Sequence, residues 1–319
     1  WVLEQALRRE GSAFAKLTQP QLEQLVESLV QEYTAANLPG AGVRMNYLLG
    51  RIQRNLVGLL GFIQRDVRQS GFQPVAFELR IDDRPDSDDP DAPRVDPVQL
   101  DDGRGHTVRI VGTVDRVDTM ELGGKTYIRV VDYKTGTKKF DLREVYYGLD
   151  CQMLLYLFSL TRDADGRFTG AEPAGVLYLL ADPAPETTTR GKAARSMEYK
   201  LDGLVRDEQK VFDAMDAEET GRYLPFSFRG GVPSPYQKEK RADKAKLSRI
   251  QLHLDDLVTQ MGEQLYGGCI AAEPLVTGRS PCRWCDYGFI CCHEDGIGER
   301  ALDAPAKPFE PEEKKEEDQ

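Results

Sequence analysis

Asp115, Asp132 and Lys134 are the residues whose types and spacing could do chemistry together. Val108 to Val117 and Tyr127 to Asp132 are rich in β-branched residues and flank Leu122-Gly-Gly-Lys125, a pattern that predicts an antiparallel hairpin. On that hairpin Asp115 and Asp132 occupy neighbouring strands. Asp132 and Lys134 are two apart, so both side chains project from one face and can meet Asp115 across the ladder. An Asp-x-Lys alone is also what a solvated strand face shows. Here the setting is apolar: Ile110, Val111, Val114 and Val117 on one strand and Ile128, Val130 and Val131 on the other predict a buried sheet. Charges at the end of such a sheet are costly unless paired or bound to a metal. Paired carboxylates suit Mg²⁺, which takes oxygen ligands and keeps waters for chemistry on a phosphate. The amine would position the attacking water or stabilise charge building on the phosphorus oxygens. Gln152 and Tyr156 lie four apart on an apolar helical pattern and share a helix face; the ordinary alternative is a solvated Gln152 and a core Tyr156.

Gly112-Thr-Val-Asp115-Arg-Val-Asp118, then Val131-Asp132-Tyr-Lys134-Thr-Gly136, then Gln152 and Tyr156 resemble, in order, the motifs of the RecB-type branch of the PD-(D/E)xK nucleases. The resemblance implies an α/β, restriction-endonuclease-like mixed sheet flanked by helices. It also implies metal ligands at Asp115, Asp132 and the Tyr133 carbonyl, a catalytic Lys134, and Gln152 and Tyr156 lining the site. A glutamate that faces the metal in similar strands makes Glu78 a further candidate ligand, beside its reading as a solvated strand residue.

Cys282-Arg-Trp-Cys285 with Cys291 and Cys292 is the second signal. Without a secretory signal such a cluster points to metal rather than disulfide, and zinc and iron-sulfur both accept thiolates. This ending resembles helicase-nuclease subunits of the AddB type. The resemblance implies that Cys282, Cys285 and Cys291 bind a [4Fe-4S] cluster that staples the C-terminal segment to the nuclease domain. The resemblance also implies a fourth cysteine ligand upstream of Trp1; of the cysteines within the chain, Cys151 reads as a small buried residue and Cys269 lacks partner spacing. The family's metal-site histidine is expected there too: Trp1-Val-Leu3 resembles the continuation just past it, and none of His106, His253 or His293 fits its motif. The implied partners are an AddA-like helicase subunit and single-stranded DNA from a double-strand break end.

The elements that must position these groups follow the chain. Residues 1–70 read as helices, with a capping box at Thr18-Gln-Pro-Gln21 before Leu22, Leu25, Leu29 and Tyr33, and an apolar stripe through Leu48, Leu49, Ile52, Leu56, Leu59, Leu60, Ile63 and Val67. Residues 71–182 are expected to form the core sheet and site helix, with 82–105 a surface loop or partly disordered. Residues 183–268 are expected to be a helical extension, with helices over Asp202 to Tyr223 and Lys244 to Tyr266 and a mobile surface segment from Phe226 to Arg241. Residues 269–293 are the cysteine segment and 294–319 a disordered acidic tail. Arg190, Lys192 and Arg195 mark a candidate phosphate-contacting loop. The chain has 319 residues and a net charge of -11, which excludes a basic coat for nucleic acid and leaves room for a local basic groove. No long apolar run or signal peptide is present, so a soluble, cytoplasmic protein without a membrane segment is expected, and the resemblance implies a bacterial one. The expected function is a Mg²⁺-dependent DNA exonuclease acting in break repair by recombination. The alternative is a catalytically idle DNA-end-binding or structural module with the same cluster.

Overall fold

A computed structural model describes residues 1–40, 42–85, 92–136, 139–163, 166–181, 184–185, 197–229, 231–277, 280–301, 303, 305 and 307–311. The Arg190, Lys192 and Arg195 loop and residues 312–319 of the expected tail lie outside them. Seven strands form one mixed sheet: β1 (Gln73–Ile81), β2 (Arg94–Val95), β3 (Gly112–Leu122), β4 (Lys125–Lys134), β5 (Glu172–Leu180), β6 (Leu201–Arg206) and β7 (Arg241–Ala242), in the order β7-β6-β5-β4-β3-β1-β2. β3 and β4 are the expected hairpin. Its turn residues Gly123 and Gly124 sit at φ 61° and 74°, the left-handed pair that a tight turn between right-twisted strands requires and that glycine adopts without steric cost. β4 and β5 run parallel, so the chain must cross over between them. It does so through α4 (Leu142–Tyr146) and α5 (Gln152–Thr161).

One face of the sheet carries α1 (Val2–Glu10), α2 (Gln19–Asn37), α3 (Val43–Gln69) and α6 (Gln209–Met215), with Leu22, Leu60, Phe72, Val131 and Phe212 in a common core. The other carries α5 and α7 (Lys244–Tyr266), packed through Leu154, Leu157, Ile250 and Leu254 onto Val117, Val130 and Val176. The helices of residues 1–70 therefore share a core with the sheet. The Thr18 capping box forms: the Thr18 side chain accepts from the N3 backbone while Gln21 Oε1 accepts from Thr18 N at 2.8 Å. Among the described residues no helix is long and apolar enough to cross a membrane.

Several expectations are corrected. The predicted strand from Val108 breaks at Val111, which is 52% exposed; Thr107–Ile110 instead pairs with Val98–Asp101, so part of the expected 82–105 loop is a hairpin. The expected helix from Asp202 begins as strand β6, because Gly203 at φ 141° lies so close to β5 that a Cβ would collide with the Val176 carbonyl; only Gln209–Met215 is helical. The Phe226 to Arg241 segment is tied down: Phe226 is buried, and Lys240 Nζ donates to Phe140 O at 2.8 Å. The α3 stripe is buried only from Leu59 onward, leaving Leu48 and Ile52 exposed, as is Tyr33 on α2.

Beneath the hairpin, on the α3 face, four charges are buried together. Arg116 Nε lies 2.8 Å from Asp118 Oδ1, Arg129 Nε donates to Asp118 Oδ2 at 2.8 Å, and Arg129 Nη2 donates to Asp66 Oδ2 on α3 at 2.8 Å. Asp118 and Arg129 are fully inaccessible. Burial raises the Asp66 carboxyl, and Arg129 and Arg116 oppose that rise. Charges out of water persist only when each has its partner, so removing one leaves the others uncompensated. Asp118→Ala, which leaves two buried guanidiniums to share the Asp66 carboxylate, is expected to cost about 3–5 kcal/mol in urea unfolding; a loss below about 1 kcal/mol would show that the quartet is not a dry ionic network.

Candidate active site

Strand register sets the site. Phe77 and Leu79 pair with Arg116 and Val114, so Glu78 falls opposite Asp115. Arg116 pairs with Val131, so the next position inward sets Asp132 opposite Asp115, and Asp132 pairs with Tyr178 on β5. Three carboxylates and a tyrosine thus form one row across four strands. Asp115 is held by the backbone: Tyr133 N donates to its Oδ2 at 2.9 Å. Lys134 Nζ lies 2.7 Å from Asp132 Oδ2 and 5.9 Å from the centre of the Tyr178 ring. Asp132 is 6% exposed, and its Oδ2, although ion-paired to Lys134, has no hydrogen bond of proper geometry.

The electrostatics are those of crowded acids. Burial raises the Asp115 carboxyl, the Tyr133 N–H opposes that, and the charge of Asp132 adds to the rise. Glu78 reaches the surface, yet the sheet removes enough water from its carboxyl to raise it, and Asp115 and Glu4 raise it further. Tyr178 is pushed up by burial and then by Asp150 and Asp132. Glu78 also sits at φ 47°, left-handed backbone for a residue with a Cβ, a strain of about 1–3 kcal/mol of the kind found where function dictates geometry.

Gln152 Nε2 donates to Tyr156 OH at 3.0 Å. Tyr156 in turn packs on Gly112, where a Cβ would stand 2.6 Å from its ring carbons. The pair is brought to the start of β3, and the turn before α5 reaches the row through the action of Asp150 on Tyr178. Sequence reasoning missed Tyr178; its signal was faint, a lone tyrosine in the apolar run Val176 to Leu180.

A divalent cation fits the chemistry of this donor set, since Asp115, Asp132 and the Tyr133 carbonyl are hard oxygen donors, one with a buried oxygen short of a hydrogen bond. Among the described residues, however, no three His, Cys, Asp or Glu side chains are gathered so that they could hold a metal ion. That applies equally to the cysteine segment: Cys282 is half-buried, Cys285 and Cys291 are exposed, and the expected thiolate set of the staple is not assembled.

A family model described as the PD-(D/E)XK nuclease superfamily matches residues 1–292. The chain is similar to curated proteins named as subunits of an ATP-dependent helicase/deoxyribonuclease. With that of Thermoanaerobacter sp. (strain X514) it is 27% identical over 305 residues, covering 92% of this chain and 26% of the relative. With that of Symbiobacterium thermophilum it is 29% identical over 303 residues, covering 91% and 25%. With that of Clostridium tetani it is 28% identical over 288 residues, covering 86% and 24%. The chain therefore spans about a quarter of the length of these relatives.

A carboxyl whose pKa is raised by folding holds its proton more tightly in the folded protein, so its contribution to stability is lost as pH rises through the raised value. Asp115 is such a group. Asp115→Asn removes the charge and keeps an acceptor for the Tyr133 N–H. It is expected to melt higher than the unsubstituted protein at pH 7, with the gap closing as pH falls towards about 4, the unfolded value. A lower melting temperature at pH 7 would contradict the crowded-acid geometry.

Proposed function

Because the chain belongs to the PD-(D/E)XK nuclease superfamily, we propose that it is a Mg²⁺-dependent deoxyribonuclease domain of an AddAB-type helicase-nuclease, cutting single-stranded DNA from double-strand break ends in recombinational repair beside an AddA-like helicase subunit. The observation that carries the reading is the meeting of Asp115, Asp132 and Lys134 at the end of two buried strands. The names of the relatives support the DNA substrate and the helicase partner.

Asp115, Asp132 and the Tyr133 carbonyl would hold Mg²⁺, with Glu78 as a further donor. The ion, when bound, lowers the pKa of water and neutralises charge on a phosphoryl oxygen. The rest falls to the chain itself. The Tyr133 N–H fixes the Asp115 carboxylate in one orientation before any ligand arrives. Asp132 keeps the Lys134 ammonium at the site, and Tyr178 beneath it limits where that ammonium can move. Lys134 Nζ, with three donors, would orient the attacking water or bond a non-bridging oxygen as its charge grows. Gln152 and Tyr156 would orient the DNA backbone near Gly112.

By resemblance Cys282, Cys285 and Cys291 would be three ligands of a [4Fe-4S] cluster with a structural role. The described residues do not gather these thiolates. Iron and labile sulfide in equal amounts after purification without oxygen would support it; colourless, iron-free protein that still cuts DNA would remove it and leave the nuclease reading in place.

The test of the main proposal is cleavage of labelled single-stranded DNA with Mg²⁺. Asp132→Ala and Lys134→Ala are each expected to lower the rate at least about 10²-fold with DNA binding largely intact. Near-normal cleavage by both variants would reject the assignment, and no Mg²⁺-dependent cleavage by the unsubstituted chain would favour an idle DNA-end-binding module.

A further inference from the structure

β1 is a sheet edge over most of its length. β2 pairs only with Arg80 and Ile81, so the Gln73 to Leu79 stretch has β3 on one side and no strand on the other among the described residues. An open edge turns backbone acceptors outward, and here two of them, two residues apart, are capped by guanidinium groups. Arg8 Nη2 on α1 donates to Phe77 O at 2.6 Å, and Arg167 Nη2, ahead of β5, donates to Val75 O. A peptide strand adding to this edge would have to displace both. Each arginine has five donors, and capping uses a few: Arg8 spends Nη2 on the carbonyl and Nε on Glu4 at 3.0 Å. Between and beside them lies a groove of about 580 Å³, lined by Leu7, Ser12, Pro74, Phe77 and Pro93 as well as the arginines. Its lining includes Phe77, the chain neighbour of Glu78 in the carboxylate row. Glu4, one turn before Arg8, acts on the Glu78 carboxyl.

We propose that this groove seats the single-stranded DNA segment adjoining the scissile phosphate, with Arg8 and Arg167 on successive phosphates and Phe77, Pro74 and Pro93 as the apolar platform for the bases. Two residues along a strand span about 6.6 Å, comparable to the repeat of phosphates on an extended nucleic-acid strand. Arginine pairs beside aromatic and apolar surface are how proteins hold single strands without reading sequence. In a chain of net charge -11 a polyanion needs such a local pair, because no diffuse positive surface is available. Edge capping accounts for one donor per arginine, not for an apolar groove that both of them line. The assignment rests on the nuclease reading for its substrate, and the test separates the two.

Binding of a fluorescein-labelled oligothymidylate to the 319-residue chain is measured by anisotropy in EDTA over a salt series, with Mg²⁺-dependent cleavage followed separately. Arg8→Gln/Arg167→Gln is expected to bind at least about tenfold more weakly. The slope of log affinity against log salt should also be about 1.4 shallower, since each single-strand phosphate contact contributes about 0.7. Arg8→Lys/Arg167→Lys, which keeps both charges, is expected to restore the slope. Ser12→Glu leaves both edge caps in place and puts a negative charge in the groove; it should weaken binding severalfold, a check that does not depend on the folding of the double variant. Unchanged affinity and slope in the glutamine pair, or unchanged affinity in Ser12→Glu, overturns the groove while cleavage by the unsubstituted chain leaves the nuclease reading standing. Loss of cleavage with the arginine dependence intact would fail the nuclease reading alone.

Discussion

Carboxylates that crowd one another repel, and nothing in their own chemistry keeps Asp115 beside Asp132. What keeps them there is the ladder between β3 and β4, whose register leaves the two aspartates opposite one another and whose backbone supplies the Tyr133 N–H to Asp115. The period of two along a strand then assigns opposite duties to neighbours. Asp115 turns to one face, and Arg116 and Asp118 turn to the other, into the dry quartet with Arg129 and Asp66. Sliding the hairpin by one residue would exchange the faces, turning Asp115 towards α3 and taking Arg116 and Asp118 away from Asp66. The ionic network beneath the sheet is thus a constraint on register as much as a source of stability, and the site above depends on it. Arg116 also donates to Tyr133 OH at 3.1 Å, so the residue whose N–H holds Asp115 is gripped from below as well.

Much of this was legible because it is local. The β-branched runs and the Gly123-Gly124 turn specify the hairpin without help from distant residues, and spacing along it decides which charges share a face. The helix boundaries at Thr18 and around Lys244 are legible for the same reason, since caps are written in adjacent residues: Asp243 accepts from Lys246 N at 2.7 Å. What escaped depends on partners far along the chain. Val111 is as apolar as its neighbours, and only the handover of Ile110 to a second hairpin leaves it exposed. Leu201 to Arg206 carries a weak local pattern and is strand because β5 offers it a ladder. Glu78 reads as a strand residue or a candidate ligand, and nothing in its neighbours along the chain marks its left-handed backbone.

The cysteine segment shows the opposite limit. Its spacing is the most specific signal in the last fifty residues, yet its own apolar groups do not make a core: Trp284 is 79% exposed and Phe289 83% exposed. Hydrophobic burial fixes the sheet and its helices, where each apolar side chain has partners from several elements. In the cysteine segment that driving force is absent among the described residues, so spacing alone carries the reading there and geometry adds little to it.

Gly112 shows how separate motifs become one site. It opens β3, three residues before Asp115, and the absence of a side chain lets the Tyr156 ring lie against the strand. Tyr156 anchors α5, and Gln152, one turn earlier, is held by its hydroxyl. That packing sets the position of the helix start, so Asp150 comes close enough to act on Tyr178, the ring that lies under Lys134. A side chain at 112 would push α5 away from β3, and the displacement would be felt at Tyr178, on the far side of the carboxylate row. The glycine in the first motif and the tyrosine in the third are two halves of a single contact, and the lysine of the second motif depends on it for its floor.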